Sequence, residues 1–286
     1  MLADVIDVLA CPHCGSDLDA DDDGDDSGND AAVVLCERGH SFDVARQGYV
    51  SLMPGSAGKI TGDSAEMIAA RAAFLDGGHF DPIADAVVAA VGSARTVLEV
   101  GAGTGHYLAA AVEATGGRGI GVDVSKAAAR RVARAHPRIG SIVADVWHGL
   151  PVRTGALDAV TCVFSPRNAA ELHRVLVPGG VLVVVTPTER HQQELIDRVG
   201  LIGVDEDKAR RLGESLSGRF EPEHRTAVEF TMRLGHADVG NLVAMGPSAR
   251  HTTDASRRDA IASLPETAEV TASVIVGIYR AASAAR

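Results

Sequence analysis

The stretch TVLEVGAGTG, over residues 96–105, constrains the fold of this chain most. Its apolar, β-branched run predicts a buried strand, and Gly-x-Gly-x-Gly predicts a tight turn that leads into a helix. Because Gly101, Gly103 and Gly105 lack Cβ atoms, a nucleotide-like ligand can approach the backbone and the helix N-terminus. We therefore expect these three glycines to bind a cofactor.

Alternating strand and helix patterns follow the glycine loop. Together with residues 96–100, the predicted strands are 118–122, 141–144, 157–164, 181–186, 226–234 and 269–279. Aromatic residues make up only 3% of the chain, so Val, Leu, Ile and Ala must fill the core, which suits a parallel sheet covered by helices. The predicted fold is α/β, a Rossmann-like sheet of seven mostly parallel strands.

Three carboxylates at successive strand ends indicate which ligand the loop holds. Glu99 lies two residues before Gly101, where it would repel a pyrophosphate but could serve a cationic ligand. Asp123 ends the second strand, where a carboxylate accepts hydrogen bonds from ribose hydroxyls, and Asp145 ends the third, where one can accept from an adenine amino group. The alternative is that both aspartates only cap helices. The set favours S-adenosylmethionine (SAM), which carries a sulfonium and an ammonium but no phosphate, over a dinucleotide.

Two half-sites with metal-ligand spacing lie near the N-terminus. Cys11 and Cys14 form a C-x2-C knuckle, and Cys36 and His40 follow with C-x3-H spacing. Four protein ligands close a tetrahedral site, so we expect a structural zinc ion in a zinc ribbon. His13 lies inside the first knuckle, but it would compete for the same corner, so His40 is the preferred ligand.

An acidic segment separates the two half-sites. Residues 17–30 contain eight aspartates and no basic residue, which predicts a disordered loop; a calcium site is the alternative. The formal net charge is −11, but the rest of the chain is nearly neutral, so a basic groove for nucleic acid stays open.

The patterns divide the chain into three parts. Residues 1–53 are predicted to form the zinc ribbon, 54–81 a linker with a helix, and 82–286 the cofactor-binding domain. No apolar run is long enough to span a membrane, and the N-terminus lacks the basic region of a signal peptide. We expect a cytoplasmic protein without a membrane partner, and a homodimer is an open possibility.

These residues also carry a family resemblance that covers nearly the whole chain. The chain resembles the RlmA/TlrB family of 23S rRNA guanine-N1-methyltransferases, whose members include macrolide-resistance enzymes. The similar segments, besides the cysteine half-sites and the glycine loop, are SFDVARQGYV at 41–50, ARAAFLDGGHF at 70–80, DVSK at 123–126 and Thr186-Pro187 with His191. The segment VAMGPS at 243–248 looks especially like the TlrB branch.

The resemblance implies a zinc-ribbon RNA-recognition domain on a class I SAM-dependent methyltransferase domain. The implied reaction is methylation of guanine N1 in a hairpin loop of 23S rRNA, and the implied role is macrolide resistance. The resemblance further implies cofactor contacts from Phe80, where family members often carry Tyr, from Gly105 and His106, and from His191. Gln47, Tyr49 and Arg71 are candidate RNA contacts, although Tyr49 could equally be a core residue. In this fold the strand end at 163–168 borders the cofactor methyl group and the substrate, so we expect groups that orient the acceptor there, but no catalytic base is identified.

Two other functions stay open. The first is a methyltransferase for small molecules that keeps its zinc ribbon for oligomerisation. The second is a non-enzymatic protein that binds RNA or the ribosome, against which the intact Glu99, Asp123 and Asp145 argue.

Overall fold

The computed structural model describes residues 2–21, 33–54, 61–201, 203, 208–246 and 254–282. The strands in these ranges are β1 Leu18–Asp21, β2 Val33–Cys36, β3 Ser41–Asp43, β4 Tyr49–Ser51, β5 Thr96–Val100, β6 Arg118–Asp123, β7 Ile139–Val143, β8 Leu157–Val163, β9 Leu176–Pro187, β10 Phe220–Gly235 and β11 Thr267–Ala281. The helices are α1 Ala65–Asp76, α2 Asp81–Val91, α3 His106–Thr115, α4 Lys126–Val132, α5 Ala169–Val175, α6 Gln193–Val199, α7 Lys208–Leu216, α8 His236–Ala244 and α9 Asp254–Ala262. None of these helices is long and apolar enough to cross a membrane.

The large sheet has the strand order β10-β11-β9-β8-β5-β6-β7-β4. Strands β4 to β9 within it pair in parallel, whereas β11 pairs antiparallel with β9 and with β10. All seven predicted strands lie in this sheet, so the Rossmann-like prediction is confirmed. An eighth strand, β4, extends the edge because Tyr49 and its neighbours pair with β7. The chain therefore enters the large sheet before residue 53, and the three-part division of the chain stays a prediction.

Local sequence signals explain where two of the helices begin. Ser64 caps α1, since its hydroxyl accepts a hydrogen bond from the N–H of Met67 at 3.2 Å. Asn168 caps α5 by accepting from the N–H of Glu171 at 3.4 Å. The Glu171 carboxylate instead accepts from the N–H of Leu150 and pairs with Arg174. The spacing of Asn168 and Glu171 is that of a capping box, but only the Asn168 half of it forms, because the Glu171 carboxylate has these other partners.

A small antiparallel sheet of β1, β2 and β3 forms the ribbon. Leu18 pairs with Cys36, and Asp21 pairs with Val33. The expectation of a disordered loop over 17–30 is therefore wrong for Leu18–Asp21, because backbone pairing next to the cysteine knuckle outweighs the charge of the aspartates. The remainder of that segment lies outside the described residues.

Two apolar clusters cover opposite faces of the large sheet. Neighbouring residues of a strand point to opposite faces, and Val97 packs in a cluster with α2 and α3, whereas Leu98 packs with ribbon residues such as Leu9 and Phe42. The ribbon thus covers part of one face of the sheet. Two N–H groups of the Arg118 guanidinium donate to the two carboxylate oxygens of Asp7, at 2.6 and 2.8 Å, and hold the ribbon on that face.

Candidate functional site

A cavity of about 790 Å³ lies at the carboxyl ends of the central strands. Five predicted cofactor residues line it, namely Phe80, Glu99, Gly101, Gly103 and His191. The other four predicted cofactor residues, Gly105, His106, Asp123 and Asp145, lie outside its lining. None of the residues that line the cavity comes from the ribbon.

Two of the loop glycines allow close approaches that a side chain would block. Gly101 has a φ of +65°, and a Cβ atom there would lie 2.7 Å from the Cβ of Ser165. Gly103 has a φ of +55°, and a Cβ atom there would lie 2.8 Å from Nη1 of Arg71. Both positions therefore need glycine for conformation, and Gly101 needs it for space as well; at Gly103 a Cβ atom would displace the end of the Arg71 side chain.

Gly105 has a different role. Its φ of +78° begins helix α3, and a Cβ atom there would lie 2.9 Å from the Cβ of Ala135. The third glycine therefore serves the packing of α3 against the segment after α4, and the cavity is formed by the first two.

Glu99 is a buried carboxylate at the floor of the cavity. It is 1% exposed, and its Oε2 accepts a hydrogen bond from the N–H of Leu108 at 3.0 Å. Burial raises the pKa of Glu99 to about 8, and the nearby charge of Asp123 adds to the shift. A cationic ligand in the cavity would reverse this shift, because an opposite charge favours the ionised carboxylate.

Asp123 binds the backbone of the glycine loop through its carboxylate. One carboxylate oxygen accepts from the N–H of Gly103 at 2.9 Å, and the other accepts from the N–H of Ser125 at 2.8 Å. Burial raises the pKa of Asp123, and the two N–H groups oppose that shift. A carboxylate oxygen can accept more than one hydrogen bond, so ribose hydroxyls can still be bound here.

Asp145 and His106, two of the predicted cofactor contacts, do not line the cavity. The carboxylate of Asp145 accepts from the N–H of Trp147 at 3.0 Å and contacts Nδ1 of His148 at 2.5 Å, so it acts as a helix cap. Its contact with adenine stays a prediction. Nε2 of His106 is buried and has no hydrogen-bond partner in the described structure, and burial lowers the pKa of this ring.

Three aromatic rings form one wall of the cavity. The ring centroid of His191 lies 5.9 Å from that of Phe80 and 5.7 Å from that of Phe164. Nδ1 of His191 accepts a hydrogen bond from the N–H of Ser273 at 3.1 Å, and Nε2 lies 3.0 Å from the side-chain amide of Gln192, so both ring nitrogens have partners within the protein. Helix α6 begins at Gln193, directly after Gln192, which has a φ of +59°.

Arg71, a candidate RNA contact from the sequence, lies in the wall of the cavity. Its Nη2 donates to the carbonyl oxygen of Met245 at 2.8 Å and pairs with Asp63 at 2.8 Å. The guanidinium therefore joins helix α1, the residues before it and the end of α8 over Gly103. Tyr49, the other candidate RNA contact, is 7% exposed and is a core residue.

The structure brings the four predicted zinc ligands together. The ligand atoms of Cys11, Cys14, Cys36 and His40 all lie within 4.8 Å of one another. The sulfurs of Cys14 and Cys36 are 3.8 Å apart, close to the about 3.8 Å edge that Zn–S bonds of about 2.3 Å give in a tetrahedron. His13 is outside the cluster, with its ring stacked on Phe42. The donor set therefore fits a structural zinc ion.

The electrostatics of the cluster favour a thiolate at Cys36. Burial opposes ionisation there, but the backbone N–H groups of His40 and Arg38 and the imidazole of His40 lower the pKa of Cys36 to about 6. Burial raises the pKa of Cys11. A bound cation would stabilise all three thiolates.

Comparison with known proteins identifies both parts of the molecule. A family model described as RlmA, N-terminal, matches residues 9–58, and one described as Methyltransferase domain matches residues 97–180. A Bacillus halodurans structure provisionally titled a methyltransferase has a TM-score of 0.50 and 16% identity, covering 70% of this chain and 99% of its own. That similarity supports the fold alone.

Two relatives match almost from end to end. A Streptomyces fradiae protein named 23S rRNA (guanine(748)-N(1))-methyltransferase is 43% identical, over 98% of this chain and 99% of its own. A Micromonospora griseorubida protein with a provisional name for the same class of enzyme is 42% identical over the same shares. The zinc-ribbon fold, the SAM-type cavity and these two alignments agree, and the chain belongs to the RlmA/TlrB family of 23S rRNA guanine-N1-methyltransferases.

Proposed function

We propose that this protein transfers the methyl group of SAM to N1 of the 23S rRNA guanine that corresponds to the one named for the Streptomyces fradiae relative. The main support for this proposal is that the chain aligns with that relative over nearly its full length and combines the glycine-loop cavity with the ribbon. Macrolide resistance is the proposed consequence of this methylation.

The residues around the cavity fit SAM by charge. Buried Glu99 suits the cationic end of the cofactor, and Asp123 offers acceptors to the ribose hydroxyls. The guanidinium of Arg71, over Gly103, suits the carboxylate of the methionine part. Asp145 would accept from the adenine amino group, and Phe80, Gly105, His106 and His191 are the further proposed contacts. Bound SAM would supply an electrophilic methyl group on a sulfonium sulfur, with a neutral thioether as the leaving group.

The acceptor guanine must present N1 to the methyl group. A paired N1 is inaccessible, so we expect an unpaired or extruded base in the cavity. N1 loses its proton in the reaction, and His191 is not placed to take it, because both ring nitrogens have partners: Nδ1 accepts from the N–H of Ser273, and Nε2 lies 3.0 Å from the side-chain amide of Gln192.

The ribbon is proposed to recognise RNA while its zinc holds the two knuckles. The division into residues 1–53, 54–81 and 82–286 is proposed as a functional division, with β4 shared structurally. A cytoplasmic location and a homodimer stay predictions.

Labelled SAM, incubated with the protein and either protein-free 23S rRNA or total metabolites, tests the proposal. We expect label in the RNA, and we expect Cys11→Ser to abolish that labelling. Label that enters small molecules only would contradict the proposed function, and so would no labelling of either pool.

A further inference from the structure

Phe164 is an exposed aromatic residue in the cavity. Among the described residues, the large hydrophobic side chains with high exposure are Phe164, at 42%, and Trp147, at 62%, and both line the cavity. Strand β8, which ends one residue before Phe164, is almost entirely buried. An exposed ring that follows a buried strand and faces a concave site offers a flat apolar surface to a flat ligand.

The backbone of Phe164 is held in an unfavourable conformation. Its φ is +53°, and the one other described non-glycine residue with a positive φ is Gln192, which also lines the cavity. The Phe164 N–H still donates to the carbonyl oxygen of Val185, so the strain arises in a well-anchored strand end. Strain of this kind persists where the surroundings enforce it, and it often marks a functional position.

The location of Phe164 distinguishes two ligands that could stack on it. The sheet order is β8-β5-β6-β7, so Phe164, after β8, lies on one side of the glycine-loop strand β5. Asp123, the proposed ribose contact, ends β6, and Asp145, the proposed adenine contact, follows β7, so both lie on the other side of β5. Trp147 follows β7 and therefore belongs to the adenine side.

The residue after Phe164 lies directly against the glycine loop. Ser165 is the contact that a Cβ atom on Gly101 would meet, so Phe164 borders the cofactor position. The rings of Phe80 and His191 lie 6.3 and 5.7 Å from it and support it within the wall. We propose that Phe164 is the residue on which the acceptor guanine stacks, an inference that rests on the proposed function.

Two substitutions distinguish the aromatic face of Phe164 from the apolar volume of its side chain. Phe164→Leu removes the aromatic face and keeps an apolar side chain, whereas Phe164→Tyr keeps the face. One stacked base contributes about 5- to 150-fold in affinity, so we expect Phe164→Leu to lower kcat/KM for RNA by that factor. Phe164→Tyr should keep the wild-type kcat/KM for RNA. The Kd for SAM should stay within about threefold of the wild-type value in both variants.

Binding of an RNA hairpin with an abasic site at the acceptor position gives a second readout. In the wild type, removal of the base should weaken binding relative to the guanine hairpin, and in Phe164→Leu this difference should disappear. Persistence of the full difference in Phe164→Leu, or its loss in Trp147→Leu instead, would overturn the role of Phe164. If the wild type methylates the guanine hairpin, such an outcome refutes the stacking role of Phe164 and leaves the proposed function intact. If the wild type fails to methylate it, the proposed function fails, and this inference fails with it.

Discussion

The metal cluster and the cavity differ in how the chain assembles them. The cluster takes four ligands from two tight turns between Cys11 and His40, and its ligand atoms already lie close together. The cavity takes its lining from residues between Arg71 and Gly246, brought together by a sheet of eight strands. A site of the first kind depends on local spacing, and a site of the second kind depends on the whole fold. The two sites should therefore respond separately to substitution.

The largest expected effect is at the metal cluster. Structural zinc contributes about 10–16 kcal/mol in small zinc modules, so Cys36→Ser should lose the metal and destabilise the ribbon strongly. SAM affinity should change by less than about threefold, because no described ribbon residue lines the cavity. Metal analysis and calorimetry with SAM measure the two effects.

Cys162→Ser is the matched control, since Cys162 is buried in β8 and lies outside the cluster. It should keep its zinc. Loss of SAM binding together with zinc in Cys36→Ser would show that the two sites are not separable.

The next effect concerns the cavity floor. Glu99→Gln keeps the volume and the acceptor for the Leu108 N–H but removes the charge that faces the cofactor. Because hydrogen bonds to charged groups contribute about 1.5–3 kcal/mol, SAM affinity should fall by about 10- to 150-fold. Zinc content should not change. Glu113→Gln, at an exposed carboxylate of α3, is the control, and equal losses in both variants would contradict the assignment.

A smaller effect separates conformation from space at the glycine loop. Gly101→Ala and Gly179→Ala both place a side chain at positive φ, +65° and +75°, which costs about 1–2 kcal/mol. Only the Cβ at position 101 meets a neighbour, so Gly101→Ala should lose a further about 1–3 kcal/mol of unfolding free energy. Urea unfolding measures the difference, and equal losses would mean that Ser165 moves aside freely.

The smallest expected effect is a pH dependence of SAM affinity, caused by the ionisation of Glu99. Glu99, with a pKa of about 8, is protonated in the free protein at pH 7 and should ionise when a cation binds beside it. SAM affinity should therefore rise with pH by at most about tenfold per unit, and level off above about pH 8. Calorimetry in buffers of different ionisation enthalpy should show proton release that Glu99→Gln reduces. Equal release from both proteins would place the titrating group elsewhere.

The contrast also explains what the sequence could predict. The four zinc ligands, the glycine loop and all seven predicted strands follow from local spacing and periodicity. Strand β4 could not be predicted as part of the large sheet, because its partner, β7, lies about 90 residues later. The place of Arg71 in the cavity could not be predicted for the same reason. The strand end that contains Phe164 was expected to border the cofactor and the acceptor, and residues of it line the cavity. The strand Leu18–Asp21 was not predicted, because the aspartates around it indicated a disordered loop.

The sequence carries partial signals for the positions of Phe164 and Arg71. Phe164 follows a buried strand directly, at a strand end like those of Asp123 and Asp145, but its positive φ has no sequence signature. Arg71 lies among apolar helix positions, where a cation suggests a buried partner. Its contact with the carbonyl of Met245 depends on the packing of α8 against α1.

The identity of the methylated nucleoside tests the central claim most directly. RNA labelled by the wild type with SAM can be digested to nucleosides and analysed by mass spectrometry. We predict that the label is in 1-methylguanosine from a single position of 23S rRNA, and that neither Glu99→Gln at low SAM nor Cys36→Ser forms it efficiently. A methyl group on another base, on another atom of guanine or on ribose would contradict the account.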